Sequence, residues 1–170
     1  MDLKAVIRTI PDFPEPGVQF RDITTILQDG EYLRESIDLI AKALHGLEYD
    51  LVIGPESRGF IFGVPVAYNQ KKGFIPVRKA GKLPYETMSK SYALEYGNAT
   101  IEIHKDAIKP GQRVVVIDDL LATGGTCKAL AELVEEAGGV IVGMIFLIEL
   151  VGLNGRSRLQ AYNVHSVLQY

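Results

Sequence analysis

The residues best suited to chemistry lie in one stretch, VVVIDDLLATGGT, at positions 114–126. An apolar run leads into two adjacent carboxylates and then into a glycine turn between threonines. Glycines let successive backbone N–H groups turn inward, and the start of a following helix carries about half a positive charge. Both features suit a phosphate, so the turn is predicted to bind an anion.

Asp118 and Asp119 would repel a phosphate, so something must lie between them and the anion. Sugar hydroxyls donate hydrogen bonds to carboxylates, and a divalent cation bridges carboxylate and phosphate oxygens. A ligand that carries a ribose diol, a phosphate and magnesium satisfies both halves of the stretch. The alternative is structural: one of the two aspartates caps the following turn.

Two other strand ends in the predicted sheet carry cations. Arg58 follows the strand LVIG in the turn PESRG, and Arg78, Lys79 and Lys82 follow the strand GFIPV. Ligands of open parallel sheets bind outside the carboxyl ends of the strands, so these turns can converge on one polyanion. Charge-assisted hydrogen bonds contribute about 1.5 to 3 kcal/mol each, so a few of them can hold a polyphosphate. Taken singly, each signal is also typical of a turn or a surface residue.

An alternation of helices and strands must position these turns. The spacing of apolar residues in EYLRESIDLIAKALHG predicts an amphipathic helix with Asp29 as its N-cap and Gly46 at its end. The pattern then predicts the strand YDLVIG, the helix RGFIFGVPVAYNQ, the strands GFIPVRK and RVVVIDD, the helix CKALAELVEEAGG and the strand VIVGMIFLIEL. This order predicts an α/β fold with a central, mostly parallel, doubly wound sheet and flanking helices.

Two segments do not fit this alternation. Residues 10–24, IPDFPEPGVQFRDIT, are rich in proline, so we expect an extended arm without a regular element that presents Phe13 and Phe20. Residues 80–99, AGKLPYETMSKSYALEYGNA, form a long polar insertion of the kind that serves as a lid. The end of this insertion alternates like a hairpin that turns near Gly97.

The composition is that of one ordinary soluble domain, with 170 residues of which 47% are hydrophobic and 23% charged. We therefore expect a single domain over residues 1–170. Lysine and arginine (18) nearly balance aspartate and glutamate (21), and no long block of like charge occurs. This balance argues against nucleic acid and membrane surfaces as partners.

The sequence also argues against several other classes of protein, each because a required feature is missing. Cys127 cannot form an internal disulfide, and the histidines are too scattered to suggest a structural zinc site. Walker, dinucleotide-binding, serine-hydrolase and H-E-x-x-H zinc motifs do not occur. The N-terminus lacks the features of a signal peptide and no apolar run approaches a membrane span, so we expect a cytoplasmic protein.

The stretch 114–126 resembles the ribose-5-phosphate and pyrophosphate signature of the type I phosphoribosyltransferases. Further segments in the same order are similar to the adenine-specific branch of that family, namely PGVQFRDIT, ESRGFIFG, VRKAGKLP, SYALEYG and LIEL followed by NGR. The resemblance covers nearly the full length and implies the fold of that family, with an N-terminal arm or hood (residues 1–30) over the base site and a flexible lid hairpin (80–99). It also implies a non-proline cis peptide bond between Glu56 and Ser57.

The resemblance implies purine salvage, in which the phosphoribosyl group of 5-phosphoribosyl 1-diphosphate passes to N9 of adenine, giving AMP and diphosphate. It implies Mg²⁺ as the cofactor, held mainly through the substrate, with Asp118 or Asp119 contributing through water. Adenine and phosphoribosyl diphosphate are the implied ligands, and a cytoplasmic homodimer is the implied assembly.

The resemblance also assigns site residues. Those implied to bind phosphoribosyl diphosphate are Arg58, Arg78, Lys79, Lys82, Asp118, Asp119, Ala122, Thr123, Gly124, Gly125 and Thr126. Gln19, Phe20 and Arg21 are implied to contact adenine. Glu95 and Tyr96 are implied to be catalytic, with Glu95 exchanging a proton with adenine. Without the resemblance, Glu95 reads as a solvated hairpin residue.

Two alternatives share the same signature. A regulator could bind the phosphoribosyl ligand without catalysis, although a DNA-reading regulator would need an extra basic helical module. A transferase for guanine, hypoxanthine or xanthine would share the phosphoribosyl site, and the arm segment FRDIT favours adenine over these bases.

Overall fold

The computed structural model describes residues 1–94 and 96–170. Contacts between residues divide the chain into two compact units, Met1–Leu39 and Ile40–Tyr170. The single domain over the whole chain stays a prediction. None of the helices in the described part of the chain combines the length and the apolar character needed to cross a bilayer.

The first unit contains a two-stranded antiparallel sheet. Its elements are α1 (Leu3–Val6), β1 (Arg8–Pro11), β2 (Gln19–Asp22), α2 (Thr24–Leu27) and the first part of α3 (Gly30–Ala43). Strands β1 and β2 pair with Arg8 opposite Asp22 and Pro11 opposite Gln19. The expectation that residues 10–24 lack a regular element was wrong. The hairpin tolerates its prolines because Pro11 ends its strand and the others lie in the connecting loop.

The second unit is built on a seven-stranded sheet. Its further elements are β3 (Leu51–Pro55), α4 (Arg58–Asn69), β4 (Gly73–Lys79), β5 (Thr87–Ala93), β6 (Asn98–His104), β7 (Arg113–Leu121), α5 (Gly125–Glu136), β8 (Val140–Glu149), the 3₁₀ helices Val151–Leu153 and Gly155–Arg158, and β9 (Val164–Gln169). The strand order is β5-β6-β4-β3-β7-β8-β9. Strands β4, β3, β7, β8 and β9 are parallel, and β6 and β5 extend the sheet beyond β4 with antiparallel pairing. The predicted mostly parallel α/β sheet is confirmed.

Several predicted elements are also confirmed. Helix α3 begins after Asp29, whose Oδ1 accepts the backbone N–H groups of Glu31 at 2.9 Å and Tyr32 at 3.2 Å. An N-cap of this kind satisfies donors that have no partner inside the helix. The lid hairpin is present as β5 and β6, and the N–H of Leu94 donates to the carbonyl of Gly97 at 2.9 Å.

The sheet positions the site through the buried strand β7. The four residues 114–117 have no exposed surface. Val114 and Val116 pack with Leu130 of α5 in the core, and the residues that alternate with them are buried on the opposite face of the sheet. Parallel strands buried on both faces read as continuous apolar runs, which explains the VVVI segment. Because this part of β7 is enclosed, the positions of the two aspartates that follow it in the same strand are fixed.

Candidate active site

The charged residues predicted from the sequence meet at the carboxyl ends of β3, β4 and β7. One cleft of about 250 Å³ is lined by Arg58, Asp118, Asp119 and the loop 122–126. A second cleft of about 640 Å³ is lined by Arg78 and Lys79. Glu56 and Thr126 line both clefts, so the two clefts are adjacent.

Asp118 and Asp119 form the acidic part of the first cleft. Only 4% of the Asp119 surface is exposed, and its Oδ2 lies 2.8 Å from Nε of Arg58. Oδ1 of Asp118 accepts the backbone N–H of Asp119 at 2.8 Å. Loss of water around the carboxylate and the neighbouring Asp119 charge raise the pKa of Asp118 well above its usual value. Burial also raises the pKa of Asp119, and the Arg58 cation opposes this increase.

The loop 122–126 has the backbone geometry of an anion site. Gly124 is the N-cap residue of α5 and has a φ of +82°, in the left-handed region. A Cβ atom at Gly124 would lie 2.6 Å from the carbonyl oxygen of Gly155. A Cβ atom at Gly155 would in turn collide with the carbonyl oxygen of Ala122. The predicted phosphate loop therefore rests directly on the backbone of the 3₁₀ helix Gly155–Arg158.

This supporting 3₁₀ helix is held by an ion pair that the sequence did not reveal. Arg156 donates to Glu149, with Nε 2.7 Å from Oε1 and Nη2 2.9 Å from Oε2. Arg156 also donates from Nη1 to the carbonyl of Val164 at 2.9 Å, and Ser166 donates to Glu149 at 2.6 Å. The segments LIEL and NGR carried the resemblance, but neither had a predicted role. The contacts show that this pair fixes Gly155 under the loop.

Replacing Arg156 with methionine is expected to lower the free energy of unfolding by about 2 to 3 kcal/mol at pH 7, because it leaves the Glu149 carboxylate buried without its cation. Arg156 lowers the pKa of Glu149 below its usual 4.5. The stabilisation is therefore present above pH 4.5 and is lost as the pH falls through the lower pKa of the folded state. Thermal unfolding of both proteins from pH 7 to pH 3 measures this.

The control for Arg156→Met is Arg34→Met, which removes an exposed pair whose Nε–Oδ2 distance to Asp38 is 3.6 Å. Exposed pairs of this kind contribute about 0 to 1 kcal/mol. Equal losses of stability in the two variants would contradict the supporting role of Arg156. A difference between wild type and Arg156→Met that stays constant on acidification would contradict the ionic mechanism.

Glu56 organises the cations of the second cleft, a role that the sequence did not indicate. Its Oε1 accepts the backbone N–H of Lys79 at 2.7 Å and lies 3.5 Å from Nε of Arg78. Its Oε2 lies 2.5 Å from Nζ of Lys82. Burial works against the charged form, but Lys82 and the Lys79 N–H lower the pKa of Glu56 below its usual value. The peptide bond between Glu56 and Ser57 is cis, as the resemblance implied.

The residues predicted to contact adenine lie together on strand β2 of the first unit. Phe20 makes an edge-on contact with Phe13, with ring centroids 5.1 Å apart. The Arg21 guanidinium donates to the hydroxyl of Thr9 across the hairpin. Gln19 ends the pairing, opposite Pro11. An aromatic ring beside hydrogen-bonding backbone suits a flat heterocycle, and the adenine contacts stay a prediction.

The two predicted catalytic residues follow strand β5. Tyr96 is 83% exposed, in the turn between β5 and β6. Glu95 lies outside the described residues. The catalytic roles of both residues therefore stay predictions.

The carboxylates present fit a magnesium ion that is held mostly by its ligand. Among residues 1–94 and 96–170, no group of three or more His, Cys, Asp or Glu side chains is placed to hold a metal ion. Asp119 uses one oxygen for Arg58 and Asp118 uses one for a backbone N–H, so each carboxylate keeps one oxygen outside these contacts. Mg²⁺ is commonly bound through one or two carboxylates together with substrate phosphates, which agrees with this arrangement.

Comparisons with known proteins point to one family. A family model for the phosphoribosyl transferase domain matches residues 22–167. The adenine phosphoribosyltransferase of Lachnoclostridium phytofermentans is 60% identical over 168 residues, which cover 99% of this chain and 97% of the relative. The relationship therefore extends over essentially the whole length of both proteins.

Solved structures agree with the sequence relationship. Adenine phosphoribosyltransferase from Thermoanaerobacter pseudethanolicus superposes with a TM-score of 0.97 at 53% identity, covering 99% of this chain and 98% of that chain. The Saccharomyces cerevisiae enzyme, solved with D-2,5-dideoxy-2,5-imino-altritol 1,6-bisphosphate and adenine, superposes with a TM-score of 0.92 at 38% identity. That match covers 98% of this chain and 96% of the yeast chain.

Proposed function

This chain belongs to the phosphoribosyl transferase family, and we propose that it catalyses transfer of the phosphoribosyl group from 5-phosphoribosyl 1-diphosphate to adenine. The products are AMP and diphosphate, and the role is purine salvage. One observation carries the proposal: the Asp118–Asp119 pair adjoins the anion loop 122–126 in a single cleft. A ribose phosphate is the ligand that needs both halves of that cleft.

The loop 122–126 binds the 5-phosphate in this proposal. Its backbone N–H groups lie at the N-terminus of α5, where the helix dipole favours negative charge. Thr123 and Thr126 add hydroxyl donors. The 3₁₀ helix under the loop keeps this arrangement rigid before the substrate arrives, which lowers the entropy lost on binding.

Asp118 and Asp119 act on the ribose. Their carboxylates accept hydrogen bonds from the two ribose hydroxyls and orient the sugar above β7. As the bond from C1 to the leaving diphosphate breaks, positive charge develops on the ribose. Two fixed carboxylates beside the ring stabilise that charge more than they stabilise the neutral substrate, which is the requirement for catalysis.

The cations gathered by Glu56 face the leaving diphosphate. Arg78 and Lys82 share the Glu56 carboxylate, which also accepts the backbone N–H of Lys79, so the arriving diphosphate replaces Glu56 as the partner of the two cations. Arg58 faces the same group from the other side of the cleft. Magnesium, when bound with the substrate, neutralises part of the diphosphate charge.

Adenine attacks C1 through N9 and must lose one proton as the new bond forms. Residues 19–21 hold the base through backbone groups and the Phe20 ring. The lid hairpin of the second unit shields the reacting ribose from water. Glu95 accepts the proton from adenine, and its sequence neighbour Tyr96 assists. Support for adenine comes from the relatives, which are named for it, and from the yeast structure that contains it.

The proposal is tested by offering adenine, guanine, hypoxanthine and xanthine separately to the purified protein with magnesium and 5-phosphoribosyl 1-diphosphate. Chromatography quantifies each nucleotide. We expect AMP to form at least about a hundredfold faster than any other product, since a site built to hydrogen-bond one base edge rejects analogues strongly.

Each other outcome of this assay has a definite meaning. Faster product from another base would keep the phosphoribosyl site and overturn the assignment of adenine. Tight binding of phosphoribosyl diphosphate without product from any base would favour the regulator. The homodimer and the cytoplasmic location stay predictions from the resemblance and the sequence.

A further inference from the structure

Strand β5 of the lid hairpin lies on helix α5 along one face. Lys90 reaches the helix, with Nζ 2.5 Å from Oε1 of Glu136 and 3.5 Å from Oε2 of Glu132. Two residues further along the same face, the hydroxyl of Tyr92 lies 2.9 Å from Oγ1 of Thr126. The strand is therefore joined both to the body of the helix and to the anion loop at its start.

The Tyr92 ring is held independently of its hydroxyl. It is half-buried and packs against the core between the sheet and α5. Its Cδ2 lies 3.7 Å from the place where a Cβ atom of Gly125 would be, an ordinary van der Waals distance, so the ring lies directly beside the start of α5. The ring position therefore directs the hydroxyl at Thr126, and loss of the oxygen alone would leave the packing in place.

The Tyr92–Thr126 contact determines what the threonine can offer an anion. A hydroxyl has one proton to donate and two lone pairs to accept with. When Tyr92 donates to Thr126, the threonine proton is left to point at a phosphate oxygen. Successive hydrogen bonds of this kind polarise and strengthen one another.

We propose that Tyr92 is a positioning residue for phosphate binding, which acts by holding the Thr126 hydroxyl as a donor to the 5-phosphate. The proposal rests on the proposed function for the identity of the ligand. It places a residue of the lid strand in the recognition of the phosphate end of the substrate, although no sequence motif assigned it there. The proposal gives the lid hairpin a role in phosphate binding through Tyr92 that is separate from its role in shielding the reaction, and adenine binding should not depend on the Tyr92–Thr126 contact.

Tyr92→Phe tests the proposal, with Tyr68→Phe as the matched control because Tyr68 is 82% exposed on α4. Calorimetry with ribose 5-phosphate alone measures the phosphate site without catalysis. We expect Tyr92→Phe to weaken this binding by about three- to tenfold and to raise the KM for phosphoribosyl diphosphate by a similar factor. The KM for adenine and the melting temperature should match those of the control.

A second series removes ambiguity from any loss of folding. Thr126→Ser keeps the hydroxyl and should retain most of the affinity for ribose 5-phosphate, whereas Thr126→Val should lose it. In the Thr126→Val background, Tyr92→Phe should have no further effect, because the partner through which it acts is gone. Additive effects of the two changes would overturn the proposal, as would unchanged ribose 5-phosphate binding in Tyr92→Phe.

The assay also distinguishes failure of the inference from failure of the proposed function. If the wild-type protein forms no AMP but Tyr92→Phe still weakens ribose 5-phosphate binding, the inference stands and the activity is wrong. If AMP forms and Tyr92→Phe behaves like Tyr68→Phe, the activity stands and the inference is wrong. An equal rise in both Michaelis constants would show a general packing role and overturn the inference.

Discussion

Asp118→Asn is expected to make the protein more stable and a poorer enzyme. Asp118 is partly buried in the wall of the cleft and lies beside Asp119, and the loss of water and the neighbouring charge raise its pKa well above the usual 3.8. An ionised carboxylate at this position is therefore a cost to the folded state. Asparagine removes the charge and still presents an oxygen that can accept the Asp119 N–H. We expect a gain of about 1 kcal/mol, which is about 2 to 4 °C in melting temperature for a chain of this size.

The same change removes an acceptor that we assign to the ribose. We expect the KM for phosphoribosyl diphosphate to rise at least about tenfold, which corresponds to about 1.4 kcal/mol, and kcat to fall as well. A carboxylate stabilises the positive charge that develops on the ribose, and a neutral amide does so poorly. Stability and activity should therefore change in opposite directions, as is common where a site keeps groups that the fold disfavours.

Thermal unfolding and steady-state kinetics of Asp118→Asn, with Asp106→Asn as control, measure both effects. Asp106 is an exposed aspartate between β6 and β7, so its replacement should change neither property. The stability advantage of Asp118→Asn should be largest above the raised pKa of Asp118. It should shrink as the pH falls through the raised pKa, where the wild-type carboxyl also becomes neutral. A variant that is less stable than wild type at pH 7, or that keeps its KM, contradicts the assignment.

The sequence predicted best those features that depend on neighbouring residues. Strand β4 has the predicted limits, Gly73–Lys79, because an apolar run is bounded by a glycine and by cations. The start of α3 at Asp29 follows from local capping chemistry. The anion turn was predicted because glycines and threonines between a buried strand and a helix let backbone N–H groups turn toward an anion. All of these signals lie within a few residues of the structure that they specify.

The features that the sequence missed depend on contacts between distant segments. Glu56 meets Lys79 and Lys82 only because β3 and β4 are parallel neighbours. Gly155 lies against Ala122 only because the ion pair between Arg156 and Glu149 holds the 3₁₀ helix Gly155–Arg158 next to the end of β8. The hairpin in the first unit was missed for a different reason, because proline content was given more weight than proline position.

The largest loss is expected for Gly124→Ala, which acts on the anion loop in two ways. The φ of +82° costs a residue with a Cβ atom about 1 to 2 kcal/mol. In addition, the new Cβ would lie 2.6 Å from the carbonyl oxygen of Gly155, a backbone atom that cannot rotate away. Gly155 is buried and held through Arg156, so the loop must move instead.

Displacement of the loop moves the N–H groups that we assign to the 5-phosphate, so phosphate binding should weaken together with the stability of the fold. We expect the KM for phosphoribosyl diphosphate to rise at least about a hundredfold, since a shift of about 1 Å at a positioning group has an effect of that size. The affinity for ribose 5-phosphate should fall in parallel. The free energy of unfolding should fall by about 2 to 4 kcal/mol, from backbone strain together with overpacking.

Gly111→Ala separates the two causes, because Gly111 has a φ of +83° and no atom within 4 Å of the new Cβ. Its stability should fall only by the cost of the left-handed conformation, and its kinetics should match the wild type. The difference between the two variants then measures the contact between the loop and the 3₁₀ helix. Equal losses of stability with unchanged phosphate affinity would mean that the loop does not need this support to bind its anion. A large loss of ribose 5-phosphate binding in Gly124→Ala alone would instead show that the C-terminal segment, through one backbone carbonyl, fixes the geometry of the phosphate site.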